Sequence, residues 1–201
     1  MIRLTQYAQQ RIGETLPVGG LAIDATAGNG HDTLFLARHV GPTGRVIAID
    51  NQAIAIENTR ERLANESIEN VELILGNHAE LHELIAANAV SSGDVVSSVD
   101  AVMFNLGYRP GGDEQQTTTA ESSRSAIDDA IELLKPNGLL SVIAYPGHPE
   151  GQRETAAVIE SLQAWAANAR IRWERIDVAH PTARTPVLFL IQKTESDKHV
   201  P

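Results

Sequence analysis

"DATAGNGHDTLFLA", residues 24–37, places a glycine turn between an apolar run and an amphipathic one. A turn that follows a strand and opens a helix cradles either the phosphates of a nucleotide or a group of opposite charge. Gly28 and Gly30 let the backbone approach a ligand with no Cβ in the way. The spacing Gly28-x-Gly30-x-x-Thr33 lacks the third glycine of the dinucleotide fingerprint. Asp24, at the end of the first strand, decides between the two ligands. Two like charges about 5 Å apart repel by roughly 3 kcal/mol at an effective dielectric of about 20. A pyrophosphate is therefore disfavoured beside Asp24, and a cation is favoured. S-adenosylmethionine offers an ammonium and a sulfonium where a dinucleotide offers phosphates, so the turn reads as a cradle for its methionine end. Asn29, Asp32 and Thr33 join Asp24, Gly28 and Gly30 as polar neighbours of that end.

Outward from the turn, apolar runs of strand and helix character alternate. Strands are expected at 20–25, 45–50, 71–75, 99–105, 139–145, 170–178 and 186–193. Helices are expected at 31–40, 53–66, 79–88, 122–134 and about 150–168, the fourth stopping at a Pro136–Asn137–Gly138 turn. This alternation predicts an α/β fold with a seven-stranded, mostly parallel sheet and helices on both faces. The last two strands are joined by too short a link for a helical crossover, so the sheet should close in a C-terminal antiparallel hairpin. Residues 1–201 read as one domain, with no internal repeat and no low-complexity tract.

Ligands in such sheets lie at the carboxyl ends of the strands. Asp50 closes the second strand, with Asn51 beside it, where a carboxylate can accept from both ribose hydroxyls. Asn77 and His78 follow the third strand, where one can bond an adenine edge and the other pack against it. The plainer alternative for this pair is a helix N-cap and its neighbour. "FNLGYRPGGD" (104–113) puts Asn105 at the end of the fourth strand, facing the position of a transferable methyl. Its side-chain carbonyl can accept from an amine and orient the nitrogen lone pair. Tyr108 then offers a ring face to a planar base or a methylammonium transition state. Asp113 is the first choice of proton acceptor, because an alkylamine of pKa about 10 is only about one part in 10³ neutral at pH 7. "YPGHPEG" (145–151) brings Tyr145 and His148 to the same sheet edge as further candidates.

The composition narrows the partners. The chain has 201 residues, no cysteine and a formal net charge of −10. Thiolate metal sites and disulfides are excluded, and no His or carboxylate cluster shows metal-ligand spacing. Residues 1–149 hold 9 basic and 19 acidic side chains, whereas residues 150–201 hold 7 of each. Any nucleic-acid footprint is thus small, with Arg109, Arg153, Arg172, Arg175 and Arg184 as candidate phosphate contacts. No apolar run approaches bilayer length and the N-terminus lacks a signal-type core, so a cytoplasmic location is expected.

"DATAGNGHDTLFLA", "FNLGYRPGGD", Thr117–Thr118 and "YPGHPEG" together resemble the small bacterial class I methyltransferases described as putative rRNA methylases. That group includes MnmM-type (YtqB-like) tRNA methyltransferases, which methylate 5-aminomethyl-2-thiouridine at the wobble position. The resemblance covers residues 1–193. It implies a Rossmann-like class I methyltransferase fold, S-adenosylmethionine as cofactor, and transfer of one methyl to an exocyclic amine in the anticodon region of tRNA. One departure stands out. The family carries an asparagine-rich stretch leading to paired prolines before the last strand, whereas this chain has "HPTARTPVLFL" (180–190), with a single Pro186 before the strand.

Other readings remain at this level. Methylation of rRNA or of a small-molecule amine uses the same cofactor site, and the acidic charge suits the small amine. A nicotinamide-dependent oxidoreductase is disfavoured by Asp24 and the missing glycine. A non-catalytic binding module would have no need of Asn105 and Tyr108. The oligomeric state is not legible, a homodimer being one arrangement.

Overall fold

The computed structural model describes residues 3–92, 99–107 and 120–195. The elements run α1 (Leu4–Thr15), β1 (Leu21–Asp24), α2 (His31–Val40), β2 (Arg45–Asp50), α3 (Ala53–Asn65) and β3 (Val71–Leu75). A single 3₁₀ turn (His78–Glu80) then leads into α4 (Leu81–Ser92), followed by β4 (Val99–Leu106) and α5 (Ala120–Leu133). β5 (Leu134–Ala144), α6 (Pro149–Ala167), β6 (Ile171–Asp177) and β7 (Val187–Lys193) complete the chain.

The seven strands form one sheet in the order β3-β2-β1-β4-β5-β7-β6. β1 to β5 pair in parallel, and β7 lies antiparallel to both β5 and β6. The order reverses between β1 and β4, which puts a crevice at their carboxyl ends. The hairpin expected from the short link is present, and β7 folds back between β5 and β6 rather than adding at the edge.

Successive residues of the central strands feed opposite faces. Ile23, Ile47, Val102 and Phe104 pack with α4, α5 and α6 through Leu81, Ile127 and Leu162. Ala22, Val46, Ala101 and Met103 pack with α1 and α2 through Ala8, Ile12, Leu36 and Val40. Burial on both faces explains why β4 and β5 read as near-continuous apolar runs. The outer strand β6 instead carries the exposed charges Arg172, Glu174 and Arg175, which discourage edge pairing.

Two expectations need correction. The Pro136–Asn137–Gly138 segment is not a turn between helix and strand. It lies within β5 as an irregularity, with Leu134 paired to Val99 before the register shifts to Ala101 and Leu139. Asn137 takes the left-handed conformation there at φ 67°. The N-terminal helix α1 is not among the expected elements, because only Ala8 and Ile12 are buried in it, with Leu4 and Tyr7 partly so, and most of the rest is polar. Among the described residues no helix is long and apolar enough to cross a membrane.

Candidate active site

The loop after β1 is fastened at both ends. Ala25 N donates to Met103 O of β4 at 3.0 Å, and Ala27 N to Ile49 O of β2 at 2.9 Å. Gly28 and Gly30 have φ of 54° and 76°, the left-handed region that favours glycine. Their surroundings differ. A Cβ on Gly30 would come within 3.0 Å of Thr59 on α3, whereas one on Gly28 would meet nothing nearer than Thr26 O at 3.8 Å. Gly30 therefore serves packing, and Gly28 leaves an open cradle.

Asp24 is fully buried (0% exposed). It accepts from Thr26 N at 3.2 Å and from the Thr33 hydroxyl at 2.6 Å. Burial, reinforced by the nearby charge of Asp32, pushes its carboxyl up to about 7 despite those donors. Thr33 is itself fully buried, so it acts through Asp24. Asp50 is half-buried at the end of β2 and takes Gly28 N on Oδ2 and Gln52 N on Oδ1, both at 2.9 Å. Each oxygen keeps a second lone pair on which a ribose hydroxyl can be received. Asn51 is exposed beside it. Asn29 is exposed and faces α3, where its Oδ1 accepts from Asn58 and its carbonyl from Arg62.

Asn77 is the N-cap of the turn before α4, its Oδ1 accepting from Ala79 N at 3.0 Å. The plainer alternative thus accounts for that oxygen. His78 is 5% exposed and meets Phe104 edge-on at 6.0 Å. Burial pushes its pKa down to about 4, and its Nε2 has no hydrogen-bond partner among the described residues. A buried imidazole nitrogen in that state is suited to a polar ligand edge.

Asn105 is the junction of the site. Its backbone N–H donates to Thr26 Oγ1 at 2.7 Å, tying β4 to the glycine turn. Its Nδ2 donates to Asp32 Oδ2 at 2.6 Å. The other carboxylate oxygen of Asp32 receives Gln9 Nε2 from α1, also at 2.6 Å. Asn105 Oδ1 is left buried with no donor among the described residues. Gln9 was missed from the sequence, and no motif there signals it.

Tyr145 closes this side. A Cβ on Gly107 would lie 2.8 Å from the Tyr145 ring, so the glycine permits the contact. Burial, with a smaller push from the Asp32 charge, raises the phenol pKa. His148 caps α6, its Nδ1 accepting from Gly151 N at 3.1 Å. That nitrogen is committed to the helix. Tyr108, Arg109, Asp113, Thr117 and Thr118 lie outside the described residues. Among the described residues no group of His, Cys, Asp or Glu side chains could hold a metal ion.

The residues present fit S-adenosylmethionine. Asp24, Asp32 and Asp50 suit a cationic, ribose-bearing group, the cradle at Gly28 is open, and Asn105 Oδ1 awaits a donor.

Comparison with known proteins agrees. Residues 46–192 match the family model "Putative rRNA methylase", and residues 4–85 match that of protein-L-isoaspartate(D-aspartate) O-methyltransferase. The chain is 36% identical over 169 residues to the chloroplastic tRNA (mnm(5)s(2)U34)-methyltransferase of Arabidopsis thaliana. That match takes in 80% of this chain and 58% of the plant protein's length. A crystal structure of a putative rRNA-methylase from Clostridium thermocellum superposes with a TM-score of 0.84 at 32% identity, over 96% of this chain and 98% of that one. A putative methyltransferase from Streptococcus mutans, solved in complex with SAH, gives 0.78 at 29% identity, over 96% and 99% of the two chains.

Proposed function

We propose, since this chain belongs to the "Putative rRNA methylase" family, that it is an S-adenosylmethionine-dependent RNA methyltransferase. Its acceptor, on this reading, is the primary amine of 5-aminomethyl-2-thiouridine at the wobble position of tRNA. The observation that carries the amine is the buried Oδ1 of Asn105 beside Asp32, which has no partner among the described residues. The chloroplastic relative, a tRNA (mnm(5)s(2)U34)-methyltransferase, supports the nucleoside.

When bound, S-adenosylmethionine supplies an electrophilic methyl group on a sulfonium. The chain's own residues then do four things. Asp50 and the Gly28 backbone hold the ribose end, while the carboxylates of Asp24 and Asp32 favour cationic groups in the cradle. Asn105 Oδ1 accepts an N–H of the acceptor amine and turns the nitrogen lone pair outward, which is catalysis by positioning. Asp32 places negative charge where the methylated nitrogen becomes cationic. Tyr145, braced on Gly107, covers the same place and excludes water.

The net charge of −10 favours a second reading, a small-molecule amine as acceptor. One experiment separates the two. The protein is incubated with labelled S-adenosylmethionine and tRNA that carries the unmethylated aminomethyl group, and the digested nucleosides are read by mass spectrometry. A methylated wobble nucleoside supports the proposal. Label in small amines but none in tRNA or rRNA overturns it.

A further inference from the structure

The N-terminal helix reaches the acceptor side through one residue. Gln9 and Asn105 approach Asp32 from opposite sides, each amide nitrogen 2.6 Å from a different carboxylate oxygen. An ionised carboxylate only accepts hydrogen bonds, so both amides must turn their NH₂ groups toward it. That requirement decides which end of the Asn105 amide faces away. It is Oδ1, the atom with no donor among the described residues. Asp32 is itself only 8% exposed, so little water is available to replace either amide. With one oxygen held by Gln9, rotation of the carboxylate away from Asn105 would break the bond to Gln9 as well.

We propose that Gln9 is a positioning residue for methyl transfer: by holding Asp32 Oδ1 it keeps Asp32 Oδ2 on Asn105 Nδ2, and so keeps Asn105 Oδ1 presented to the acceptor amine. The proposal rests on the amine-methylating reading above for its catalytic consequence. Its structural core stands apart from that reading. α1 is thereby part of the acceptor side as well as a cover for the sheet. Its buried residues Ala8 and Ile12 pack it down, and Gln9, between them, points its amide at the site.

The test uses Gln9→Leu, which removes the donor and keeps the bulk. The Asn105 side-chain amide is followed by ¹⁵N–¹H spectroscopy, assigned through its loss in Asn105→Asp. In the wild type, hydrogen exchange of that amide is expected to be slow. In Gln9→Leu it should quicken about tenfold, with kcat for tRNA methylation down about tenfold and KM for tRNA and Kd for S-adenosylhomocysteine within about threefold. Unchanged Asn105 exchange overturns the proposal. So does a parallel loss of Tm and S-adenosylhomocysteine affinity with exchange unaltered, which would mark Gln9 as a brace for the helix alone.

Should Gln9→Leu fail to fold, Gln9→Glu keeps the length. Its introduced carboxyl can donate to Asp32 when protonated and repels it when ionised. Asn105 amide protection should then be lost at pH 8 and recover by about pH 5.5, a change larger than any that Asp24, raised to about 7 beside Asp32, imposes on the wild type. Protection that varies with pH no more than in the wild type overturns the proposal. A wild type that methylates no RNA would sink the function, yet the exchange measurement would still decide the role of Gln9.

Discussion

The amide of Asn105 and the carboxylate of Asp32, 73 residues apart in the chain, meet at 2.6 Å across the reversal of strand order. β4 delivers one and the first turn of α2 the other, and Thr26 stitches the two loops together through the Asn105 backbone. The placement of the Asn105 side chain over the glycine turn therefore depends on the register between β1 and β4, which pairs Asp24 with Met103.

Asn105→Ala removes the unpartnered acceptor and leaves the backbone bond to Thr26. Single-turnover methylation of tRNA should slow by about 10²-fold or more, a loss typical of a group that orients a reacting atom. S-adenosylhomocysteine affinity, read by calorimetry, should change by less than about fivefold, because this side chain faces the acceptor. A rate within threefold of wild type would show that another group orients the amine.

Asp24 and His78 push stability in opposite directions as pH changes. The folded pKa of Asp24 is raised to about 7, so the folded state holds more protons than the unfolded chain between its unfolded value and 7. Its contribution is fully present below the unfolded pKa and is lost as pH rises through about 7. His78 is lowered to about 4, so stability tied to it is present above about 6.5 and lost as pH falls toward 4. Asp24→Asn can still accept from Thr26 N, and the Thr33 hydroxyl can turn to accept from the new amide. The variant should be more stable than wild type at pH 8 by roughly 2–4 kcal/mol, with the gap closing by pH 4. Urea unfolding across that range checks it, and a gap independent of pH would refute the Asp24 shift.

Binding of a cation should draw the Asp24 proton off. Affinity for S-adenosylmethionine is therefore expected to rise between pH 6 and pH 8 with release of a proton, seen as a buffer-dependent calorimetric heat. Asp24→Asn should abolish both. Equal pH dependence in the variant would move the effect to another group.

On the proposed reading Asp50 has two tasks, because its carboxylate already holds Gly28 N and Gln52 N. Asp50→Ala should lower cofactor affinity at least about tenfold and also loosen the glycine turn, each charge-assisted hydrogen bond contributing very roughly 1.5–3 kcal/mol. Hydrogen exchange at Gly28 should quicken even without ligand. Loss of affinity with Gly28 protection intact would assign Asp50 to the ribose alone.

The phosphate grip is expected to be weak. Arg175 is bonded to Asp177 at 2.9–3.1 Å, and Arg153 to Glu150 at 2.8 Å, so both begin neutralised. Arg184 and Arg172 are exposed. With about two phosphate contacts at about −0.7 each, the log–log salt slope for tRNA binding should lie at about −1 to −2. Arg184→Glu should flatten the slope and weaken tRNA while sparing S-adenosylhomocysteine. Binding indifferent to both salt and Arg184→Glu would favour the small-amine reading.

Much of this molecule was legible in its order of residues. Strand and helix periods are local, so the elements from His31–Val40 to Val187–Lys193 stand within a few residues of where their patterns put them. The seven strands follow from their apolar patterns and the C-terminal hairpin from a short link, and Asp24 and Asp50 stand at the strand ends where those patterns put them. α1 escaped notice because two buried residues in twelve make too thin a stripe to detect.

Tertiary structure alone decided which lone pair goes where. Asn77 and His148 each sit one residue before a helical turn, and backbone N–H groups there claim the side chains as caps. Thr33 turns inward to Asp24, and Asn29 turns out to α3, though they stand only four residues apart. Sequence spacing shows that a polar atom is near the edge of the sheet; strand register and helix docking choose its partner among several within reach. Gln9 is the sharpest instance, an ordinary residue on a polar helix until α1 packs against β5 and β7 and brings its amide to Asp32. The physical reason is range. Propensity and periodicity act over a few residues, whereas a buried hydrogen bond is settled between groups that only the assembled fold brings within 3 Å of each other.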